Sequence, residues 1–235
     1  MSLPISLPKM EVPTYELVLP STNKKIKYRP FLVKEHKILM TLKDSNIGEI
    51  SRVVRELINN CTFGKLKVDS LPHFDIEYIF LNLRARSIGE VLNLLITCNC
   101  GNEIPVEANL NHAAVIKTQD HTNKIRIGNM IIELNYPTFE QMMEIYEYSE
   151  NIDKLFNIIS SNLKSITKDD EIYDASEYTL EEREDFLLSL SKEQFSHLER
   201  FYQTMPKIVQ TIEGDCDACG THNKVTLEGL QNFFV

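Results

Sequence analysis

Four of the five cysteines in this chain fall into two short motifs that can bind a metal ion. Cys98 and Cys100 form a Cys-x-Cys-Gly motif, and Cys216 and Cys219 form a Cys-x-x-Cys-Gly motif. A glycine after the second cysteine lets the backbone turn tightly beneath the sulfurs, often with a positive φ. Four thiolates complete the tetrahedral shell of a structural Zn²⁺ ion at a distance of ~2.3 Å. The sequence therefore predicts a structural zinc site with Cys98, Cys100, Cys216 and Cys219 as ligands.

Other chemistry is compatible with the same cysteines. They can form disulfides or remain as unreactive thiols, and Cys216 with Cys219 can act as a redox pair, although the βαβ context of a thioredoxin-like motif is missing. A catalytic zinc would need an open coordination position, which a complete thiolate shell does not leave. His112 or His222 can replace one ligand. Cys61 follows the apolar stripe of a predicted helix and is expected in the core.

No other constellation of residues predicts a reaction. The sequence contains no Gly-x-x-x-x-Gly-Lys-Ser/Thr phosphate loop, no Gly-x-Gly-x-x-Gly turn, no His-Glu-x-x-His helix and no Gly-x-Ser-x-Gly elbow. The six histidines are scattered along the chain. The basic run Lys24–Arg29 is the one place where we expect an anionic ligand, and its alternation is also typical of an edge strand. We therefore predict no catalytic residues and no enzymatic activity.

Each cysteine motif is expected in the turn of a β-hairpin. Alternating patterns predict strands at 91–97 and 104–110 around the first motif, and at 208–212 and 224–227 around the second. More than a hundred residues separate the two motifs, which is unusual for a zinc ribbon. The spacing is possible if the intervening segment begins and ends at one place.

The N-terminal region is expected to be extended. Its first thirty residues contain five of the nine prolines, which disfavour a long helix. Strands at 15–19 and 25–29 are predicted to form a hairpin around a Ser-Thr-Asn turn. The preceding arm has apolar residues at Leu3, Ile5, Leu7 and Met10, so we expect it to lie on its own domain or to dock on a neighbouring subunit.

Helical periodicity follows the hairpin. Ile38, Leu39 and Leu42 are predicted to share a buried face, a second stripe runs from Ile50 to Ile58, and a third helix is expected from Asp75 to Arg86. Short strands are predicted at 124–127 and 130–135 around a Gly-Asn turn. Capping boxes then predict helix starts after Thr138, Thr179 and Ser191, with an exposed turn at 168–171.

Composition limits the class of protein. The chain has 235 residues, of which 43% are hydrophobic and 25% charged, and no apolar run approaches the ~20 residues of a membrane-spanning helix. The N-terminal residues lack the features of a signal peptide, so we expect no export by that route. The net charge of −9 is divided into about +4 for residues 1–100 and −13 for residues 101–235. Because nucleic-acid binding depends on Lys and Arg at the phosphates, nucleic acid is not the expected partner.

Several stretches resemble a known family. The segment from Pro13 to Met40, which includes Phe-Leu-Val-Lys-Glu-His-Lys-Ile-Leu-Met, is similar to the N-terminal signature of the baseplate hub proteins of T-even-type contractile-tailed bacteriophages. The similarity continues through 60–63, 74–81 and 86–90 and covers the first hundred residues. The resemblance implies a structural or assembly protein of the hub that acts by protein–protein contact. It also implies residence in the host cytoplasm during assembly and then in the virion tail baseplate, with other hub or tail proteins as partners.

The sequence thus predicts an α+β fold with an N-terminal arm and β-hairpin, a helical layer, and a small β zinc-ribbon-like unit interrupted by an acidic helical insertion. The expected divisions are an arm and hairpin at 1–30, a helical core at 31–90, a β unit at 91–136, the insertion at 137–206 and a second β unit at 207–235. A homo-oligomer is possible. The alternatives are a hub-assembly chaperone absent from the mature virion and a zinc-ribbon adaptor for nucleic acid.

Overall fold

The computed structural model describes residues 10–42, 45–147 and 152–229. These residues form an α+β structure, as predicted, in which helices pack on several small antiparallel sheets. The helices are α1 (Val33–Met40), α2 (Ile47–Cys61), α3 (His73–Ser87), α4 (Phe139–Glu147), α5 (Ile152–Asn162), α6 (Leu180–Leu188) and α7 (Lys192–Thr204). The strands are β1 (Tyr15–Val18), β2 (Lys25–Tyr28), β3 (Val91–Thr97), β4 (Glu103–Asn109), β5 (Ala114–Ile116), β6 (Lys124–Ile127), β7 (Met130–Leu134), β8 (Leu163–Lys168), β9 (Glu171–Asp174), β10 (Lys207–Asp215) and β11 (His222–Glu228). None of the helices within these ranges is both long and apolar enough to cross a lipid bilayer.

Two hydrophobic clusters organise these elements. The first cluster contains side chains from the β1–β2 hairpin, from α2 and α3, and from the hairpins β3–β4 and β10–β11. The second cluster lies between the four-stranded sheet β6-β7-β8-β9 and the helices α5, α6 and α7. Both cysteine-bearing hairpins therefore belong to the same core, although the second cluster separates them along the chain.

The predicted hairpins and caps are largely confirmed. β1 pairs with β2, β3 with β4, β6 with β7 and β10 with β11, all antiparallel. The capping boxes at Thr138, Thr179 and Ser191 are present, because each side chain accepts a hydrogen bond from the backbone N–H three residues on. Local turn and capping chemistry thus determines most of the element boundaries.

Two predictions, one for the acidic segment and one for the strands before it, need correction. Residues 137–206 are not helical throughout, because β8 and β9 form a hairpin there. β6 and β7 do not join the cysteine-bearing strands, since β7 pairs with β8 instead. The turn between β8 and β9 has positive φ at Asp169 and Asp170, so two aspartates take the conformation that glycine or asparagine usually supplies. The division of the chain into five segments stays a prediction.

The third helix begins two residues earlier than predicted, at His73, and Asp75 does not cap it. Asp75 is fully buried, and both its carboxylate oxygens accept hydrogen bonds from Ser21, one from the backbone N–H at 3.0 Å and one from the hydroxyl. Burial raises the pKa of Asp75, whereas these hydrogen bonds oppose the rise. The carboxylate therefore fastens the turn of the first hairpin to α3.

Helix α1 buries a charged residue and exposes apolar ones. Glu35 is 2% exposed, whereas Ile38, predicted to be in the core, is 46% exposed. The cause is a buried ion pair, in which Arg29 Nη2 donates to Glu35 Oε1 at 2.9 Å. Glu35 Oε2 also accepts from the N–H of Leu32 at 2.7 Å, which begins the helix. The side chain of Glu35 is thus held inward, whereas Lys34 and Lys37 are exposed.

His73, the first residue of α3, carries a fully buried imidazole. Its backbone N–H donates to the carbonyl of Pro137 at 3.1 Å, whereas neither ring nitrogen has a hydrogen-bond partner among the described residues. Burial lowers the pKa of His73 to about 3, and the nearby carbonyls of Pro137 and Pro206 oppose this effect. A neutral ring therefore packs beside the prolines that precede α4 and β10.

Replacing Arg29 with leucine should destabilise the protein by about 3 kcal/mol at neutral pH, because Glu35 would remain buried without its main partner. Burial raises the pKa of Glu35, but the hydrogen bonds from Arg29 and Leu32 outweigh it, so the native pKa lies below the usual 4.5. The stabilisation is therefore fully present above pH 4.5 and is lost as the pH falls through the lowered native value. Urea unfolding at several pH values measures both effects.

Arg52→Leu is the matched control, since the pair of Arg52 with Glu56 is 62% and 60% exposed. We expect a change of less than ~0.5 kcal/mol in the free energy of unfolding. Equal losses in the two variants would contradict the importance assigned to the buried pair.

Candidate metal centre

The four cysteines of the two motifs meet at the tips of two hairpins. Cys98 and Cys100 lie in the turn between β3 and β4, and Cys216 and Cys219 lie in the turn between β10 and β11. Their sulfur atoms all lie within 4.8 Å of one another. The structure thus brings together all four residues that the sequence singled out, and the group can hold a metal ion.

The two turns have similar backbone hydrogen bonds, although the second turn is one residue longer. In the first, the N–H of Gly101 donates to the carbonyl of Cys98 at 2.8 Å, and the N–H of Cys98 donates to the carbonyl of Asn102 at 2.9 Å. In the second, the N–H of Gly220 donates to the carbonyl of Cys216 at 2.7 Å. The two glycines have φ values of +87° and +71°, which residues with a Cβ rarely adopt. The glycines are therefore needed for the turn, as the sequence predicted.

The sulfur positions fit a tetrahedral thiolate shell. Cys98 Sγ lies 3.7 Å from Cys219 Sγ, and Cys100 Sγ lies 3.6 Å from Cys216 Sγ. Four thiolates at ~2.3 Å from a central Zn²⁺ ion would be about 3.8 Å apart. These distances are far longer than the ~2.05 Å of a disulfide bond, and all four thiols are free. The geometry agrees with shared coordination and not with disulfide pairing.

Each hairpin contributes one buried and one exposed cysteine. Cys98 and Cys216 are 3% and 2% exposed, whereas Cys100 and Cys219 are exposed. The cluster therefore lies at the border of the first hydrophobic cluster, where the buried pair joins the core and the other pair faces solvent.

Neighbouring groups favour thiolates at the second hairpin. Burial raises the pKa of Cys216, but hydrogen bonds from the backbone N–H groups of Cys219 and Ala218 outweigh it, so the pKa is lowered. The hydroxyl and backbone N–H of Thr221 lower the pKa of Cys219 to about 6. The backbone N–H of Asn102 lowers the pKa of Cys100, but the three neighbouring sulfurs raise it to about 12. The raised pKa of Cys100 reflects repulsion between neighbouring thiolates, and a cation bound by all four sulfurs would remove this repulsion.

Sequence reasoning missed the residues that surround the cysteines. Asn102 Nδ2 donates to Cys216 Sγ at 3.6 Å across the two hairpins, and Thr221 Oγ1 lies 3.2 Å from Cys219 Sγ. Groups of this kind orient metal ligands. The sequence does indicate these neighbours, because in both motifs a polar residue directly follows the glycine.

The alternative ligands and the redox alternative find no support in the described residues. His222 pairs with Asp215 at 2.7 Å and, like His112, lies outside the group of four sulfurs. Cys216 and Cys219 lie in a β-turn and not at the start of a helix, which is the setting that activates thioredoxin-like pairs. Cys61 is fully buried, as predicted, and burial raises its pKa to about 11.

Gly214 allows the two hairpins to approach each other. A Cβ atom at this position would lie 2.7 Å from Val106 Cγ1 and 3.2 Å from Ile104 Cγ2, both on β4. Both residues are buried in the first cluster and cannot move freely. The absence of a side chain two residues before Cys216 therefore allows β10 to lie close to β4.

Gly214→Ala should lower the free energy of unfolding by about 1 to 3 kcal/mol, because β10 must move away from β4. The matched control is Gly48→Ala in α2, where a Cβ would meet only ordinary contacts at 3.5 Å or more. That variant should be unchanged or slightly more stable, since alanine favours a helix. Urea denaturation of both variants measures the difference, and a stable Gly214→Ala protein would disprove the close approach.

Comparison with known proteins assigns the chain to one family. No curated protein and no solved structure shows significant similarity to the chain. The sequence profile of the family described as T4 bacteriophage base plate protein matches residues 12–235, which is nearly the whole chain and includes both cysteine motifs. The chain therefore belongs to the T4 bacteriophage base plate protein family.

Proposed function

We propose that this chain is a non-enzymatic structural or assembly protein of the phage baseplate hub, which acts by docking to other tail proteins and contains a structural zinc site. The observation that carries the proposal is the cluster of four thiols, which joins two hairpins that lie far apart in the sequence. Membership of the baseplate family supports the structural role.

The donor set favours a structural site over a catalytic one. Cys98, Cys100, Cys216 and Cys219 provide four sulfurs and would fill a tetrahedral shell, so no position remains for water or substrate. A zinc ion bound there would supply a cross-link between the two hairpins. That link would close a loop of more than a hundred residues and so reduce the conformational entropy of the unfolded chain. In the loop-closure model this raises the free energy of unfolding by about 4 to 5 kcal/mol.

Exposed apolar side chains near the N-terminus support docking. Val33 and Met40 on α1 are 77% and 71% exposed, and Val18 on β1 is also exposed. Met10, where the described chain begins, is 90% exposed. The apolar arm residues before it, Leu3, Ile5 and Leu7, lie outside the described residues. Exposed apolar side chains at several positions of the N-terminal hairpin and α1 favour a contact surface in this region.

The purified protein should contain one zinc ion per chain. Cys216→Ser should remove the metal and lower the melting temperature, because three thiolates bind less tightly and the hairpins lose their link. Cys61→Ser is the control for the loss of a thiol, since Cys61 is buried away from the cluster, and it should keep its zinc. Metal analysis and thermal unfolding test this, and metal-free protein with an unchanged melting temperature in Cys216→Ser would overturn the zinc proposal.

The chain should also be found in mature virions. We expect mass spectrometry of purified particles to detect it, and deletion of residues 1–12 to reduce its incorporation because the arm contacts a neighbour. Its absence from particles that depend on it for assembly would identify it as a hub-assembly chaperone. Normal incorporation of the truncated chain would contradict docking through the arm.

A further inference from the structure

The outer strand of the four-stranded sheet has an open edge. β9 is the last strand in the order β6-β7-β8-β9, and all four of its residues are exposed. Ile172 is 73% exposed and Tyr173 is 38% exposed. Natural edge strands are protected by short length, charged side chains, proline or a bulge, because their free backbone groups can pair with another chain. β9 is short, but it has no lysine, proline or bulge, and its two charged side chains, Glu171 and Asp174, are both acidic.

The register shows which backbone groups face outward. Lys168 pairs with Glu171 across the two-residue turn, and Ile166 pairs with Tyr173. In an antiparallel ladder, alternate residues direct their N–H and C=O groups to the partner strand. A two-residue turn closes on a hydrogen-bonded pair, so Glu171 and Tyr173 face β8, whereas Ile172 and Asp174 face away from it. Ile172 therefore offers both a donor and an acceptor at the free edge.

The side chains at this edge continue both faces of the sheet. Tyr173 lies beside Ile166, which packs on the second hydrophobic cluster, so its ring extends the core face. Ile172 lies beside Thr167 and extends the opposite face. An added strand would contact an apolar side chain on each face and would hydrogen-bond to the backbone between them.

The charge around β9 identifies the chemistry of such a strand. Residues 169–177 contain no basic residue and five carboxylates, namely Asp169, Asp170, Glu171, Asp174 and Glu177. All five are exposed, and none of these described residues forms an ion pair. The neighbouring strand β8 has two lysines, of which Lys164 pairs with Glu133 and Lys168 lies opposite Glu171. Hydrogen bonds from Asn129 to Asp169, from Tyr173 to Glu171 and from Ser176 to Asp174 leave the negative charge in place. An extended segment with lysine or arginine would remove this repulsion.

We infer that β9 is a docking edge that accepts an extended, basic segment of another protein as an added strand. This surface is separate from the N-terminal arm and from the cysteine cluster. The basic strands of the chain itself, β2 and β6, are less suitable occupants. A contact of either strand with β9 of a second copy would be head-to-tail and would propagate.

The test measures binding of a peptide to the full-length protein. The peptide is a capped heptapeptide in which lysine alternates with valine and threonine. Binding is measured by calorimetry, and hydrogen exchange at Ile172 should slow when the peptide is bound. An analogue that is N-methylated on the residues facing β9 has the same charge but cannot form the ladder, and it should bind at least about tenfold more weakly. Equal binding of the two peptides would show that only charge attracts them and would overturn the proposal.

Substitutions at Ile172 separate the backbone contribution from the side-chain contribution. Ile172→Pro removes the outward N–H but leaves the bonds to β8 intact, so peptide affinity should fall at least about tenfold. Ile172→Thr keeps the N–H and should cost much less. Leu188→Lys is the control for the effect of charge on peptide affinity, because it adds a positive charge in the same acidic segment. Leu188 is, like Ile172, an exposed aliphatic residue, with 69% of its surface accessible. A larger loss in Leu188→Lys than in Ile172→Pro, or no binding of the peptide to the parent protein, would contradict the proposal.

Sedimentation of the protein alone completes the design. We expect the parent protein not to self-associate through β9. If it does self-associate, and Ile172→Pro abolishes the association, the occupant of β9 is a second copy of the chain, and the proposal of a different protein as partner is wrong.

Discussion

The close packing of β10 against the β3–β4 hairpin is the constraint on which the cysteine cluster depends. Gly214 has no side chain where one would collide with Val106 and Ile104, so the two hairpins can lie against each other within the first core. Their turns then meet with sulfurs 3.6 and 3.7 Å apart. A hydrophobic contact thus prepares the arrangement of the thiols, and little ordering of the chain would remain for metal binding to accomplish.

The same core explains why the protein tolerates buried charge. The first hairpin is fixed to the helical layer by two polar contacts, the ion pair of Arg29 with Glu35 and the hydrogen bonds from Ser21 to Asp75. Both carboxylates are almost fully buried and both have partners, which is the condition under which burial of charge can be sustained. Because these contacts hold Glu35 inward, α1 presents Val33 and Met40 to the outside. The buried ion pair of Glu35 and the exposed apolar side chains therefore belong to the same helix, and the first explains the orientation of the second.

Local patterns in the sequence predicted much of this structure. The glycines after Cys100 and Cys219 predicted the two turns, and the capping boxes predicted three helix starts. The contacts of Asp75 and Glu35 could not be foreseen, because their burial depends on tertiary packing; the partner of Asp75 is 54 residues away. The β8–β9 hairpin was missed for a different reason, since β8 follows α5 directly without glycine or proline and its turn consists of two aspartates. The meeting of four cysteines was predicted from residue type, but the glycine at 214 that permits it was not.

The pairing of β5 with β10 has a consequence for how the chain could have changed over time. Because the chain leaves the first core after β5 and returns at β10, the strand that pairs with it, the segment between these two strands can be lengthened or shortened without moving β10 away from β4. The outer sheet and its acidic strand can then diversify while the cysteine-bearing core is retained. Relatives that differ in length are expected to differ between β5 and β10.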